Sequence, residues 1–315
     1  MTGADEHRAL SADQGVTVDA PHEAQPRRVE GVAEEILYIQ PAGLVYWAWA
    51  APALIALFAA VWLQMQLPQR EIFLAMNHWA SSFGPVWWSS ITLLGDTGVV
   101  FCLVAPLLLW RPQMTFAVLA AVPVGGLLSV ALKALFQAHR PATLIDPAQF
   151  TVIGPLLNNA SFPSGHTLSA FAAAVAMVVV LTTQPQVKPG RFWSARTLLA
   201  TTALLALATL AGFSRVAVGA HWPVDVLAGA GCGWLAGLSG AWLTGRYPKL
   251  WQSVLGQMAL GQILLLIAGW LILRTAEYPQ GLLTVALAAL LALLTVVGQF
   301  VLMYRKLRRA LIPRR

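Results

Sequence analysis

The stretch LVYWAWAAPALIALFAAVWLQM, residues 44–65, carries no charged side chain along its whole length. A helix needs roughly 20 predominantly apolar residues to cross the hydrocarbon core of a bilayer, so this stretch predicts a membrane-spanning helix. Seven further apolar runs predict spans near 91–110, 114–136, 167–183, 197–213, 224–243, 254–273 and 281–304. The total of eight spans places both termini on the same side of the membrane.

The composition of the chain excludes an ordinary soluble domain. Hydrophobic residues make up 58% of the 315 residues and charged residues only 10%, whereas soluble domains carry about 25% charged residues. The predicted fold class is therefore all-α, a polytopic transmembrane helix bundle. Cys102 and Cys232 lie inside apolar runs and indicate neither a disulfide framework nor a Cys-based metal site.

Two segments outside the spans have distinct patterns. Residues 1–43 are polar and acidic and are expected to be disordered. The segment Gln66–Trp88 has apolar residues at i, i+4, i+7 and i+11, which predicts a helix lying in the membrane interface. An ordinary loop with scattered apolar residues is the alternative. The apolar residues of this stripe are Ile72, Met76, Trp79 and Phe83.

The distribution of positive charge predicts the orientation. The net charge is +7, but the basic residues are scattered through short loops, which fits membrane topology better than nucleic-acid binding. A cytoplasmic N-terminus places 15 of the 20 Lys and Arg inside. This arrangement leaves Lys133, Arg140 and Arg215 at the outer edge of the membrane, where charged side chains are functional-site candidates.

Three short clusters contain residues that could handle a phosphate. Lys133 and Arg140 are seven residues apart, which two helical turns would place on one face, with Pro141 ending the helix. The alternative is that the Lys snorkels to the membrane surface and the Arg merely flanks the helix, so that neither binds a phosphate. The sequence Pro163–Ser164–Gly165–His166 opens the next span, where free backbone N–H groups bind anions. A capped helix start with an incidental histidine explains it equally well.

The third cluster combines Ser214 and Arg215 with His221 and Asp225. Asp225 could accept an N–H from His221 and leave the other ring nitrogen free as a nucleophile. A capping aspartate beside an interfacial histidine is the alternative. The predicted topology brings all three clusters to one membrane face, which predicts a site for a phosphoryl group in transfer.

The three clusters resemble, residue for residue, the signature of the type 2 phosphatidic acid phosphatase superfamily: K-x6-RP, PSGH and SR-x5-H-x3-D. The resemblance covers about residues 44–243 and implies the six-helix membrane core of that family. The expected organisation is therefore a tail at 1–43, a phosphatase core at 44–245 and a segment at 246–315. That last segment has two additional spans and a basic cytoplasmic C-terminus, to which the resemblance assigns no function.

The resemblance also implies a role for each residue. His221 would be the nucleophile that forms a phospho-histidine, Asp225 would orient it, and His166 would be the general acid. The groups expected to bind the phosphate are Lys133, Arg140, Ser164, Gly165 and Arg215. No metal and no cofactor is expected, since no clustered set has metal-ligand spacing. Asp96 either supports the site or helps helices to pack.

The predicted function is hydrolysis of a lipid phosphate or diphosphate at the outer face of the cytoplasmic (inner) membrane. Candidate substrates are undecaprenyl diphosphate, phosphatidic acid, phosphatidylglycerol phosphate and a lipid A phosphate. A lipid phosphotransferase using the same site is an alternative, and an anion transporter or channel is an alternative of another class. The haloperoxidases that share the signature are disfavoured because they are soluble. The expected partners are the lipid substrate and membrane lipids, and the sequence leaves the oligomeric state open.

Overall fold

The protein is seen here in a computed structural model that describes residues 43–183, 194–274 and 277–311. These ranges are helical and contain no β-strand. The helices are α1 (Gly43–Gln66), α2 (Gln69–Ser81), α3 (Pro85–Leu93), α4 (Thr97–Val104), α5 (Leu107–Trp110), α6 (Pro112–Ala120), α7 (Val122–Phe136), α8 (Pro141–Leu144), α9 (Gly165–Thr182), α10 (Ala195–Ala217), α11 (Pro223–Arg246), α12 (Lys249–Gln252), α13 (Val254–Leu273) and α14 (Leu282–Leu311).

The predicted all-α, polytopic architecture is confirmed. Within the described ranges, 7 helical segments are long and apolar enough to cross a membrane, and a bent pair brings the number to 8 if it is one span. The predicted span at 254–273 coincides with α13, and the other predicted ends differ by a few residues. The predicted tail lies outside the described residues except for Gly43, and Lys188 and Arg191 lie outside them as well.

The second predicted span, 91–110, is wrong as a single straight helix. The chain bends by 70° between Pro85–Leu93 and Thr97–Trp110, where Asp96 accepts a hydrogen bond from Val99 N at 3.1 Å and caps the new helix. A Cβ atom at Gly95 would lie 2.8 Å from the carbonyl oxygen of His166. The bend therefore turns the chain directly against the helix that begins with the PSGH motif.

A helix forms in the predicted interfacial segment, and the face that it packs against the protein is not the apolar stripe noted in the sequence. Phe73, Asn77 and Ala80 of α2 are fully buried, while Trp79 and Phe83 are exposed. Hydrophobic periodicity selected the stripe with the most apolar side chains. The real buried stripe contains a polar residue, which apolar patterning does not detect.

Asn77 is buried because its side chain joins two distant segments. Its Nδ2 donates to the carbonyl oxygens of Thr151, Val216 and Ala217, each at 3.0 Å, and its Oδ1 accepts from Thr151 N at 2.8 Å. A buried amide is tolerated when its hydrogen bonds are made. The contacts hold the end of α10, immediately after Arg215, against the loop that follows Phe150.

The helices α9 and α11 pack in backbone contact through glycines spaced four residues apart. Cβ atoms at Gly229, Gly233 and Gly237 would lie 2.6, 2.4 and 2.7 Å from carbonyl oxygens of α9 or its cap. Small residues at this spacing are how membrane helices approach closely. At the end of the pair where both helices begin or are capped, Ser164 N donates to the carbonyl oxygen of Asp225 at 3.0 Å. The packing thus joins the second and third motifs directly.

The two helices beyond the predicted core share its hydrophobic interior. Leu264 and Ala268 of α13 and Ala288 and Ala292 of α14 belong to the same buried cluster as residues of α4, α6, α9 and α11. The chain between α13 and α14 runs past the turn at the end of α3, where a Cβ atom at Gly281 would lie 2.4 Å from Leu93. The described part of this connection therefore packs against the end of α3.

Candidate active site

His221 lies in the short turn between α10 and α11, with 2% of its surface exposed. Pro223 begins α11, and Asp225 sits in its first turn, where Oδ2 accepts a hydrogen bond from Trp222 N at 2.9 Å. This contact holds the carboxylate toward the residue before the helix. The same oxygen lies 3.3 Å from Nδ1 of His221. The structure thus brings together the histidine and carboxylate that the sequence had paired.

Ser161 is a third member of this group that the sequence analysis missed. It is fully buried, and its hydroxyl donates to Oδ2 of Asp225 and lies 3.3 Å from Nδ1 of His221. The carboxylate is therefore surrounded by donors, which stabilises its ionised form in a buried position. Ser161 stands two residues before the PSGH motif, in a loop whose pattern suggests only a turn.

The second ring nitrogen of His221 faces a cation. Nε2 lies 3.1 Å from Nη1 of Arg140, and an arginine only donates, so Nε2 must be the acceptor. Nδ1 then carries the hydrogen, which suits its contact with Asp225. Burial, followed by the guanidinium groups of Arg140 and Arg215, holds the pKa of His221 well below its usual range. The imidazole is neutral, which is the nucleophilic form.

Arg140 is held in place by several carbonyl oxygens. Its Nε donates to the main-chain oxygen of Asn159 at 3.1 Å and to Oδ1 of Asn159 at 2.8 Å. Its Nη1 also donates to the carbonyl oxygen of Ala220 at 2.8 Å. Only 4% of this residue is exposed. The site therefore contains a guanidinium whose position is set before any substrate arrives.

The expected helical spacing of Lys133 and Arg140 is not what joins them. The helix α7 ends at Phe136, because Gln137 adopts a left-handed conformation with φ 43° and caps it. Arg140 has extended backbone geometry and precedes α8. The helix thus stops four residues earlier than the sequence predicted. The loop, rather than a shared helix face, carries Arg140 to His221.

The spacing of Arg215 and His221 has a clear local cause. The carbonyl oxygen of Arg215 accepts hydrogen bonds from the backbone N–H groups of Ala220 at 3.0 Å and His221 at 3.1 Å. Gly219 within this turn has φ 78°, and a Cβ atom there would lie 2.8 Å from Phe150 and Thr151. Glycine permits both the left-handed backbone and the close approach. The SR-x5-H spacing is the length of this closed turn.

The side chain of Arg215 is completely enclosed. Nη1 donates to Oγ1 of Thr92 at 2.6 Å and to the hydroxyl of Tyr278 at 2.8 Å, and 1% of the residue is exposed. Nε is buried without a hydrogen-bond partner among the described residues. An unpaired buried donor on a cation is costly, so this nitrogen marks a place where a ligand's acceptor would be stabilised.

The start of α9 contributes the second motif. Ser164 caps this helix, with its Oγ accepting from Oγ1 of Thr167 at 2.9 Å. A Cβ atom at Gly165 would meet nothing within 4 Å, so there is open space next to this backbone. Nε2 of His166 is buried and has no hydrogen-bond partner among the described residues. An anion at this helix start would meet free N–H groups and the imidazole.

Lys133, half-buried near the end of α7, completes a group of three cations. It interacts electrostatically with Arg140, Arg215 and Asp225. Repulsion between neighbouring buried cations is unfavourable unless an anion lies between them. One carboxylate cannot balance three positive charges. The cluster is therefore best satisfied by a group with more than one negative charge, such as a phosphate.

The residues that the sequence analysis missed come from remote segments. Asn159, Ser161 and Thr92 are ordinary polar residues in a loop or an apolar run. Tyr278 comes from the connection between α13 and α14. Its ring packs on Gly154, where a Cβ atom would lie 2.5 Å from the ring and φ is 86°. No local pattern identified these residues, since their contact with the site depends on packing.

Asp96 has a defined partner. Its Oδ2 lies 2.8 Å from Nη2 of Arg274, which follows α13 and also stacks on Trp270 at 4.6 Å. The carboxylate thus has both a capping and a packing role. Among the described residues, no group of three or more His, Cys, Asp or Glu is arranged to hold a metal ion.

Comparison with curated proteins and solved structures identifies relatives of part of the chain. The undecaprenyl-diphosphatase of Sulfolobus acidocaldarius is 31% identical over 107 residues, which are 33% of this chain and 41% of that protein. The chain therefore spans less than half the length of that relative. Crystal structures of Aquifex aeolicus LpxE and of a PAP2 type phosphatidylglycerolphosphate phosphatase from Bacillus subtilis are also similar. The first has a TM-score of 0.44 with 29% identity, covering 54% of this chain and 92% of LpxE. The second has a TM-score of 0.35 with 21% identity, covering 66% of this chain and 88% of that chain.

A family model matches this chain directly. Residues 114–249 match the PAP2 superfamily, the family that the three motifs had indicated. All three motifs lie inside the matched segment, whereas α13 and α14 lie beyond it. The site described above is built mainly from that segment, which is less than half of the chain and is similar to the PAP2 superfamily.

Proposed function

We propose that this protein is an integral membrane lipid phosphatase that removes the terminal phosphate of a lipid phosphate or diphosphate through a phospho-histidine at His221. The observation that carries this proposal is the two-sided environment of the His221 ring. Asp225 and Ser161 flank Nδ1, and Nε2 faces Arg140 within a group of three cations. A neutral imidazole in this setting is an oriented nucleophile next to a phosphate-binding site.

The reaction follows from this arrangement. The terminal phosphoryl group binds among Lys133, Arg140 and Arg215, and Nε2 of His221 attacks phosphorus in line with the leaving oxygen. The bond from phosphorus to the leaving oxygen breaks as a new bond from phosphorus to nitrogen forms. His166 transfers a proton to the leaving oxygen. A water molecule then gives a proton back to His166 and attacks the phospho-histidine, which releases inorganic phosphate and restores both histidines.

The substrate class follows from the membrane setting and from the named relative. A site at the outer ends of apolar helices is reached most directly by a head group carried on a lipid. The relative named undecaprenyl-diphosphatase supports a prenyl diphosphate as substrate. Phosphatidic acid, phosphatidylglycerol phosphate and a lipid A phosphate present the same terminal phosphate to the cations. The proposed core is 44–245, with 1–43 as a cytoplasmic tail and 246–315 as an added segment.

The proposed orientation places the site outside the cytoplasm. The 15-to-5 division of Lys and Arg supports cytoplasmic termini. Reporter fusions within 142–162 and after Ala220 should then report the outer side, and fusions after Pro185 and at Arg315 should report the cytoplasm. A cytoplasmic signal from the 142–162 segment would overturn this orientation.

A phosphate-release assay on the purified protein tests the function. The substrates are prenyl diphosphate, phosphatidic acid, phosphatidylglycerol phosphate and lipid A phosphate in detergent micelles, with excess EDTA present. We expect release from at least one of them by the wild type and none by His221→Ala. When a substrate labelled on its terminal phosphate reacts with the wild-type enzyme and the reaction is stopped quickly without acid, the protein should carry the label. Hydroxylamine should remove that label. Release that requires added Mg²⁺ would contradict the metal-free mechanism.

A further inference from the structure

A cavity of about 500 Å³ lies beside His166, between α4, the α6–α7 segment, α9 and α13. Most of its wall is apolar and includes Phe101, Val118, Ala121, Val122, Leu168 and Ile267. Its lining extends from Gly165 to Ala173 along α9, about 12 Å of helix at 1.5 Å per residue. The cavity thus runs from the catalytic end of the bundle toward the middle of the membrane.

One end of this cavity is polar, and His166 is part of it. Asp96, Thr97, Ser169 and Arg274 also line the cavity, and a Cβ atom at Gly95, next to Asp96, would lie 2.8 Å from the carbonyl oxygen of His166. Oγ1 of Thr97 and Oγ of Ser169 lie 2.7 Å apart. A polar end beside the general acid, joined to an apolar interior, matches the form of a lipid leaving group. The leaving oxygen would lie at His166, and the chain would extend along the apolar wall.

Arg274 is a guanidinium held in a fixed plane at this polar end. One face stacks on Trp270 at 4.6 Å, and Nη2 pairs with Oδ2 of Asp96 at 2.8 Å. Asp96 is itself anchored by its contact with Val99 N at 3.1 Å. The guanidinium has five N–H groups, and the contact with Asp96 occupies one side of its fork. The rest can serve a second acceptor in the cavity.

The position of this cation distinguishes two kinds of leaving group. The transferred phosphate is bound by the cations around His221, and what departs lies on the His166 side. A lipid monophosphate substrate leaves as an alcohol, which carries no charge once His166 has protonated it. A lipid diphosphate leaves as a lipid monophosphate, which keeps its negative charge. A guanidinium beside His166 stabilises the second leaving group and has little to offer the first.

We propose that Arg274 binds the lipid-proximal phosphate of a lipid diphosphate substrate, whose chain occupies the cavity beside His166. This inference rests on the proposed function and assigns its substrate class. Arg274 follows α13, outside the segment that matches the PAP2 superfamily. The additional C-terminal helices therefore contribute a specificity-determining residue to the site, and their contribution is the recognition of a second phosphate.

The test compares two substrates that differ only by one phosphate, farnesyl diphosphate and farnesyl monophosphate. Initial rates are measured from the lipid product by mass spectrometry, so that later hydrolysis of the first product does not interfere. We expect Arg274→Gln to lower the diphosphate-to-monophosphate ratio of kcat/KM by about tenfold or more, as the loss of a charge-assisted hydrogen bond does. Arg274→Lys should lower it less, because it keeps the charge.

The control is Arg246→Gln. Arg246 also ends a helix and stacks on an aromatic ring, Tyr247 at 5.3 Å, but it belongs to the other end of α11. The diphosphate-to-monophosphate ratio of kcat/KM in Arg246→Gln should equal that of the wild type. Asp96→Asn removes the ion pair and keeps the guanidinium, so its ratio should fall less than that of Arg274→Gln. If the only role of Arg274 were to hold α13 against α4, Arg274→Gln and Asp96→Asn would lower the diphosphate-to-monophosphate ratio of kcat/KM by the same factor.

Each result has a defined meaning. A ratio that is unchanged in Arg274→Gln, or a parallel loss on both substrates, overturns the inference. A wild-type enzyme that cleaves the monophosphate and ignores the diphosphate also overturns it, but leaves the proposed phosphatase function standing. Release of phosphate from neither substrate, nor from any lipid in the wider panel, removes the proposed function itself.

Discussion

Nη1 of Arg140 lies 3.1 Å from Nε2 of His221, so a guanidinium covers the lone pair that we propose attacks phosphorus. The same nitrogen of Arg140 donates to the carbonyl oxygen of Ala220 at 2.8 Å. The oxygens of a phosphate are stronger acceptors than a neutral imidazole, so we expect the substrate to compete with Nε2 for this N–H group. The lone pair is then free, while the contacts with Asn159 and Ala220 keep the guanidinium in place.

The first prediction concerns the shape of the cation at position 140. Arg140→Lys keeps the charge but loses the fork that contacts Asn159, Ala220 and His221 together. We expect kcat/KM to fall by more than about tenfold, because an ammonium cannot make these directed contacts at once. Steady-state kinetics with the best lipid substrate provide the measurement.

A matched control for this variant is Arg70→Lys, whose guanidinium donates to Gln149 at an exposed position. It should keep wild-type kinetics. Near-normal kinetics in Arg140→Lys would mean that general electrostatics, rather than directed hydrogen bonds, explain the role of this residue.

The second prediction separates the two histidines by their response to the leaving group. An alkyl or prenyl alcohol leaves poorly without a proton, whereas nitrophenolate leaves well without one. His166→Ala should therefore lose most activity on a lipid monophosphate and keep a much larger fraction on p-nitrophenyl phosphate. His221→Ala should be inactive on both, because no phospho-histidine can form. Rescue of His221→Ala by the activated ester would reverse the two assignments.

The third prediction concerns pH. Burial and the neighbouring cations lower the pKa of His221 from its ordinary value of 6.5. A proton therefore binds the nucleophile only at lower pH, and the acid limb of kcat/KM should lie below pH 6.5. Lys133→Gln removes one of these cations, so the pKa should rise and the limb should move to higher pH. Both enzymes are compared on one substrate, so the substrate's own ionisation cancels. An acid limb that stays in place in Lys133→Gln would contradict this prediction.

The fourth prediction tests Tyr278 as a positioning residue for Arg215. Tyr278→Phe removes the hydroxyl that accepts from Nη1 at 2.8 Å and leaves the buried ring in place. A hydrogen bond to a charged group contributes about 1.5–3 kcal/mol, so the inhibition constant for orthovanadate should rise by about tenfold. The thermal midpoint should fall by about a few degrees, because the buried donor on Arg215 loses an acceptor.

Tyr247→Phe is the control, since that tyrosine is 46% exposed at the other end of α11. Its vanadate inhibition should match the wild type. If Tyr278→Phe lowered the thermal midpoint and left vanadate inhibition unchanged, the contact would serve stability alone, and the position of Arg215 would depend on other partners.

Local physics explains what could be predicted from the sequence. A bilayer offers no hydrogen bonds to the backbone, so every apolar run of sufficient length must be helical, wherever it lies in the fold. The span predicted at 254–273 therefore has the same first and last residues as α13. Helix starts are equally local, and Pro163–Ser164 and Pro223 marked the first turns that carry His166 and Asp225. The closed turn from Arg215 to His221 depends on residues within seven positions of each other.

The tertiary structure alone decided which distant groups meet these motifs. Arg215 contacts Thr92 and Tyr278, which are 123 and 63 residues away in the chain, and no local pattern encodes such a distance. The bend at Gly95, the burial of Asn77 and the pairing of Asp96 with Arg274 are of the same kind. Each depends on helices packing against one another, since α9 and α11 approach closely only where glycines face a neighbour's backbone. Composition and periodicity show which residues can enter a membrane, but packing determines which polar groups then lie within hydrogen-bonding distance.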